Sequence, residues 1–236
     1  MKKEPRIIAI IPSFNVESTL GSVVENVKKL VDEIIVVNDG SVDRTRKIAE
    51  GYDVDIVDHL KNMGLGYALR MGFEEAMKKD FDAVITIDGD GQHTIEDIKE
   101  IIEVYKKERN SVILGSRLKN KAEWKNFPRA RLIGNLLMTF LTNLACQRKI
   151  TTDSQSGLRV IERNVLEKIR LKSKRMEIAS EIVMEAHKRG FKIHEIPIKA
   201  IYRGEKSNYS VIFDTLRIFF VIARKALGMY KLRSGK

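Results

Sequence analysis

Between Arg6 and Gly115 short apolar runs alternate with longer segments whose apolar residues recur at helical spacing. That alternation restricts the fold more than any other feature of the chain. Residues 6–12, 33–38, 54–57, 83–87 and 112–115 read as strands, several of them apolar at consecutive positions, as strands covered on both faces are. Helices are expected from 17 to about 31, from Asp43, from 62 to about 79, and from Thr94. In the first, Leu20, Val23, Val24, Val27 and Leu30 fall on one face. In the last, Thr94 is followed by Glu96 and Asp97, a helix-start signal. Such an order implies βαβ units, right-handed crossovers and a parallel sheet with helices on both sides. Ligands of such sheets bind at the carboxyl ends of the strands, where Phe14, Asn15, Asp39, Asp88 and Asp90 fall.

The central run, Ala83-Val84-Ile85-Thr86-Ile87, ends in Asp88-Gly89-Asp90-Gly91-Gln92-His93. Two carboxylates at the end of a buried strand are costly unless something positive lies between them. In an extended chain alternate residues share a side, so Asp88, Asp90 and Gln92 can converge on one ion. Their hard oxygens suit Mg²⁺ or Mn²⁺ shared with substrate phosphates. An acidic β-turn holding no ion is the other reading of the same residues.

The net charge of +11 favours polyanionic partners. The basic residues cluster at 117–131 and 217–236, beside apolar helical segments, a pattern closer to membrane surfaces than to nucleic acid. The segment 132–141 is nearly all apolar yet too short to span a bilayer, so it is core or interfacial. A strand at 158–161, a short helix at 163–169, and a helix at 176–189 stopped by Gly190 follow. Residues 192–202 alternate as a strand placed at an edge by Pro197, 203–208 form a polar loop, and a last amphipathic helix is expected from 211 to 229. Single Cys146 reads as packing and rules out an internal disulfide. No secretion signal or spanning helix is expected, which places the protein in the cytoplasm, peripheral on the cytoplasmic face of a membrane. The domain reading is a catalytic unit at 1–210 and an amphipathic basic helix at 211–236.

Five motifs then occur in order: Pro12-Ser13-Phe14-Asn15, Asn38-Asp39-Gly40-Ser41-x-Asp43-x-Thr45, Asp88-x-Asp90-x-Gln92-His93, Gly115-Ser116-Arg117 and Asp153-x-x-Ser156-Gly157-x-Arg159. With them the chain resembles the family 2 glycosyltransferases of GT-A fold, and within these the dolichyl-phosphate mannosyltransferases and related polyprenyl-phosphate hexosyltransferases. The resemblance implies a Rossmann-like α/β fold with a central, mostly parallel sheet. It also implies transfer of a hexose from GDP-mannose, UDP-glucose or UDP-N-acetylglucosamine to a polyprenyl or dolichyl phosphate, with inversion. Pro12, Phe14, Glu17, Asp39, Asp88, Asp90 and Arg203 match donor-binding positions, and Asp88, Asp90 and Gln92 match the metal site. Arg117, Arg131 and Asn135 are placed at the acceptor phosphate, and Asp90, Arg117 and Arg131 are the residues expected to carry catalysis. Glu181 matches an acidic helix position of the family. The chain departs from the family in three places: its acidic residue after the first strand is displaced to Glu17, Gly89 stands inside the metal motif, and the lysine of the closing loop has moved to Lys206.

A lipid monophosphate is largely ionised near neutral pH and needs positioning more than a base, which arginine suits. An alcohol acceptor would need one, with Asp153 and Glu181 the candidates. His93 is expected to order the metal loop. Three rivals share features of the chain. One is a glycosyltransferase for saccharide acceptors. Another is a nucleotidyltransferase, which would want a Gly- and Lys-rich loop where Pro12-Ser13-Phe14-Asn15 stands. The third is a non-catalytic basic adaptor.

Overall fold

The computed structural model describes residues 4–109, 111–202, 219, 220 and 222. Seven strands form one sheet: β1 (Ile7–Ser13), β2 (Glu33–Asn38), β3 (Asp55–Asp58), β4 (Ala83–Thr86), β5 (Ser111–Ser116), β6 (Arg159–Glu162) and β7 (Lys192–Pro197), in the spatial order β3-β2-β1-β4-β6-β5-β7. β1 pairs in parallel with β2 and β4, β2 with β3, and β5 with β7. Only β6 runs against its neighbours, antiparallel to both β4 and β5. The mostly parallel sheet expected from the alternation is present. The reversed strand in its middle follows from no local pattern, since its residues suit either direction.

Seven α-helices are described: α1 (Leu20–Val27), α2 (Thr45–Ala49), α3 (Leu65–Ala76), α4 (Ile95–Lys107), α5 (Arg129–Ala145), α6 (Arg163–Leu166) and α7 (Ile178–Lys188). The period-2 geometry of the strands divides the core in two. Ile7, Ala9, Ile11, Val36, Ile85 and Val160 face one side with the apolar stripes of α1 and α4. Ile8, Ile10, Val37, Val84, Leu114 and Ile161 face the other with those of α3 and α7. Each fully buried Ile or Val contributes about 1.5–3 kcal/mol. A one-residue slip would exchange the two sets between the packed faces, so this packing holds the register.

Local signals explain the element ends. The Thr94 hydroxyl accepts from the Asp97 amide at 3.1 Å, which caps α4 as expected. α7 ends at Lys188 with Arg189 as its C-cap, and Gly190 follows at φ +78°. β7 lies at the sheet edge, where the missing N–H of Pro197 does no harm. α1 starts at Leu20, where its apolar stripe begins, and not at the expected residue 17, because the Val16 carbonyl accepts from the amides of Thr19 and Leu20 in a turn that precedes it. Gly66 lets α3 lie directly under the segment before α7: a Cβ there would stand 2.6 Å from the Ser173 carbonyl oxygen.

Helix α5 is both core and surface. Met138, Thr139 and Thr142 are buried, and Cys146 packs beside Met138, Met184 and Ile222. Ile133, Leu137, Phe140 and Leu144 are exposed by 66, 45, 61 and 61%. The loop around Arg203 and the helix expected at 211–229 lie outside the described residues, apart from Phe219, Phe220 and Ile222, which are helical. No helix among the described residues is long and apolar enough to cross a membrane.

Candidate active site

A cleft of about 580 Å³ opens at the carboxyl ends of β1, β2, β4 and β5, and Arg131 and Asn135 of α5 line its far side. β4 stops at Thr86, whose hydroxyl donates to the Gly157 carbonyl at 2.6 Å. The chain then turns. The Gln92 amide donates to Asp90 Oδ1 at 3.0 Å, Gly91 sits at φ +72°, and the Gly89 carbonyl accepts from the Thr19 hydroxyl at 2.7 Å. Asp88, Asp90 and Gln92 therefore meet at one cleft, but through a turn. The extended geometry expected for them is absent, because the strand has already ended.

The Asp88 side chain is 37% exposed toward the cleft and lies 3.5 Å from Nε2 of the buried His93. Burial acts to raise its carboxyl pKa, but His93 and the charges of Arg117 and Arg159 outweigh it and hold the group below the ordinary aspartate value. The wall behind it is Gly157, where a Cβ would stand 2.1 Å from Asp88 Oδ2. Among the described residues there is no cluster of three or more His, Cys, Asp or Glu that could enclose a metal. Two carboxylates and an amide at an open cleft instead fit a hard divalent ion that takes its remaining ligands from phosphate and water. That is the chemistry expected of these residues.

At the carboxyl end of β1, Pro12 and Phe14 line the cleft. Glu17 does not. Asn15 adopts φ +53°, Val16 faces the cleft in the position expected of the acid, and Glu17 turns outward to accept from the Arg44 amide and Nε at 3.0 and 3.1 Å. The extra residue between Asn15 and Glu17 is the reason. Asp39 lines the cleft but is 3% exposed. Its carboxylate takes the amides of Met63 and Gly64 at 2.9 and 2.8 Å and lies 2.6 Å from His59 Nδ1. It fastens the entry of α3 to the end of β2. Arg203 lies outside the described residues.

The end of the cleft lined by Arg117 and Arg131 is cationic. Arg117 follows β5 and donates through Nε and Nη2 to Asp153 at 2.8 and 3.1 Å. Asp153 is fully buried. One turn apart on α5, Arg131 and Asn135 line the same space, with the Arg131 guanidinium carbon 5.3 Å from the Tyr202 ring centroid. Neither candidate base is available to a substrate. Asp153 is held by Arg117, and Glu181, 1% exposed, accepts the amides of Lys172 and Ser173 at 3.0 and 2.8 Å. Glu181 thus braces the segment whose residues Arg175 and Met176 line the cleft.

Sequence reasoning left three site residues without a role. Arg159, 2% exposed, donates through Nη2 to the Ser154 carbonyl at 3.2 Å, and burial pushes its pKa down to about 10, so it stays charged at neutral pH. Gln155 lines the cleft and donates to Ser180 Oγ at 2.7 Å. Tyr202 also lines the cleft. An arginine inside a buried strand was the one visible signal, and it pointed to Arg159.

The family model described as Glycosyl transferase family 2 matches residues 8–170. A protein of Methanocaldococcus jannaschii described as uncharacterized protein MJ1222 is 40% identical over 199 residues, covering 83% of this chain and 82% of its own. A UDP-N-acetylglucosamine–dolichyl-phosphate N-acetylglucosaminyltransferase of Methanococcus voltae is 36% identical over 216 residues, covering 83% and 86%. Among solved structures, glucosyl-3-phosphoglycerate synthase from Mycobacterium tuberculosis, in complex with Mn²⁺ and UDP-glucose, superposes with a TM-score of 0.76 at 16% identity, over 94% of this chain and 79% of that one. At that identity the likeness is one of fold.

Proposed function

Because the chain belongs to glycosyltransferase family 2, we propose that it moves a hexose from a nucleotide sugar to a polyprenyl phosphate at a membrane surface, with inversion. The observation that carries this reading is that, among the described residues, no carboxylate stands available at the arginine-lined end of the cleft. The described carboxylates lining the cleft are Asp39, Asp88 and Asp90, and none belongs to the wall formed by Arg117, Arg131 and Asn135. An alcohol acceptor needs a base within reach, whereas a phosphate monoester arrives as an anion and needs cations to orient it. The Methanococcus voltae relative, named for transfer to dolichyl phosphate, supports the same acceptor and makes UDP-N-acetylglucosamine the first donor to test.

Pro12, Phe14 and Asp39 hold the nucleoside. Asp88, Asp90 and Gln92 would hold Mg²⁺ or Mn²⁺, which when bound supplies positive charge to the departing diphosphate. Arg117 and Arg131 hold the acceptor phosphate so that one oxygen faces C1 of the sugar opposite the leaving group, making reaction a single displacement. His93 stands behind Asp88 and keeps its carboxylate turned toward the cleft.

The test is transfer to a short polyprenyl phosphate with UDP-N-acetylglucosamine, UDP-glucose and GDP-mannose in parallel, with Mn²⁺ or Mg²⁺. Chelator-sensitive transfer from one donor is the expected result. Transfer to a saccharide alcohol and none to the lipid phosphate would replace this reading by that of a soluble-acceptor enzyme. Nucleotide binding with transfer from none of the donors would move the reading to a different acceptor and leave the basic helices with a structural role.

The exposed stripe Ile133, Leu137, Phe140 and Leu144 supports the membrane part of the reading, since Arg131 and Asn135 lie on the same helix and reach the cleft. At 1.5 Å per residue the stripe is about 16 Å long, enough to lie in a headgroup region. Together with the net charge of +11 it predicts sedimentation with anionic vesicles at low salt. Replacing Phe140 and Leu144 by Glu removes two apolar groups of about 1.5–3 kcal/mol each, so partitioning should fall about a hundredfold or more. No vesicle binding by the unaltered protein would remove the membrane part.

A further inference from the structure

Arg117 does not reach the acceptor site with all its donors. Of the five N–H groups of a guanidinium, its Nε and one on Nη2 go to Asp153 at 2.8 and 3.1 Å, and one on Nη1 goes to the Tyr202 hydroxyl oxygen at 3.5 Å, leaving two. A phosphate monoester presents three terminal oxygens, each a strong acceptor. The donors that complete its seat must come from elsewhere.

Tyr202 stands where such a donor is wanted. It is half-buried, lines the cleft, and lies between the two arginines, with its hydroxyl beside Arg117 and its ring under Arg131. The ring also packs on Phe127, centroids 4.9 Å apart, so its position is set by the core of that wall. Arg117 donates to the hydroxyl oxygen, and no group among the described residues accepts the hydroxyl's own proton. The neighbouring guanidiniums cannot accept it, because arginine carries no acceptor. Burial raises the phenol pKa, so the proton stays on oxygen at neutral pH.

We infer that Tyr202 is a binding residue for the acceptor, donating its hydroxyl proton to the phosphate seated between Arg117 and Arg131. The inference rests on the phosphate-acceptor reading above and adds a residue to it. It also gives the site a means of discrimination. A neutral isoprenol supplies a single oxygen and no charge, and leaves this set of donors unmatched.

The experiment is calorimetric titration of the full chain with farnesyl phosphate and with farnesol, without donor. Tyr202→Phe keeps the ring, its contact with Phe127 and the support of Arg131, so folding is preserved. Loss of a hydrogen bond to a charged group predicts about tenfold or greater weakening of farnesyl phosphate binding, with farnesol unchanged. Farnesyl phosphate binding by Tyr202→Phe within about twofold of the unaltered protein would overturn the inference and leave the phosphate reading standing. If the unaltered protein itself binds farnesyl phosphate no better than farnesol, the phosphate reading fails and the inference falls with it.

Discussion

Asp88→Asn is expected to lower transfer by about a thousandfold. The substitution keeps size and removes the negative charge that would hold the divalent ion for the leaving diphosphate. Charge stabilisation at such a position supplies several kcal/mol, and each 1.36 kcal/mol is a factor of ten in rate. The surroundings make the site sensitive: His93, Arg117 and Arg159 all act on this one carboxylate. The loss should appear both in turnover and in Mn²⁺-dependent binding of the nucleoside diphosphate, measured by calorimetry, while circular dichroism stays native. Retention of a tenth or more of the activity would move the metal site away from this turn.

The second large effect is expected from a residue with no side chain. In Gly157→Ala the new methyl group would stand 2.1, 2.6 and 2.7 Å from Asp88 Oδ2, Cγ and Oδ1. The three nearest atoms all belong to one side chain that ends at an open cleft, so the chain yields by rotating Asp88 and not by moving backbone. A displaced carboxylate cannot bind in place, and kcat/KM should fall at least about a hundredfold. Stability should change little, by about 1 kcal/mol or less, which is about 2–4 °C in melting temperature for a chain of this size. Activity lost with melting preserved is the signature to look for. A large drop in melting temperature would mean instead that the backbone had given way.

The two substitutions separate what was legible from what was not. Asp88 announced itself, as a carboxylate at the end of an apolar run. Gly157 lay in a polar turn that read only as a turn, and its importance comes from a strand 71 residues earlier, whose Thr86 hydroxyl meets the Gly157 carbonyl. The acceptor wall behaves the same way. Arg117 stood out as a basic residue after a strand, but that Asp153, 36 residues away, takes its Nε edge was not visible, and with it went the idea of Asp153 as a base. Glu17 was read from the family pattern, and one inserted residue was enough to turn it to Arg44.

By itself the sequence determined the layered sheet, the two packed faces, the Thr94 cap, the Gly190 stop and the end of the molecule where the carboxylates gather. These follow from periodicity and from signals a few residues long, and burial of alternate side chains leaves little freedom in how such segments combine. Only the tertiary structure decided that β6 runs backward between β4 and β5, that Asp88, Asp90 and Gln92 meet through a turn and not an extended strand, and which charges have already found partners. Those outcomes depend on contacts between residues far apart in the chain. A buried charge takes whatever opposite charge the packing sets beside it, and the cleft-facing atoms those pairings leave over are the ones that can hold a substrate.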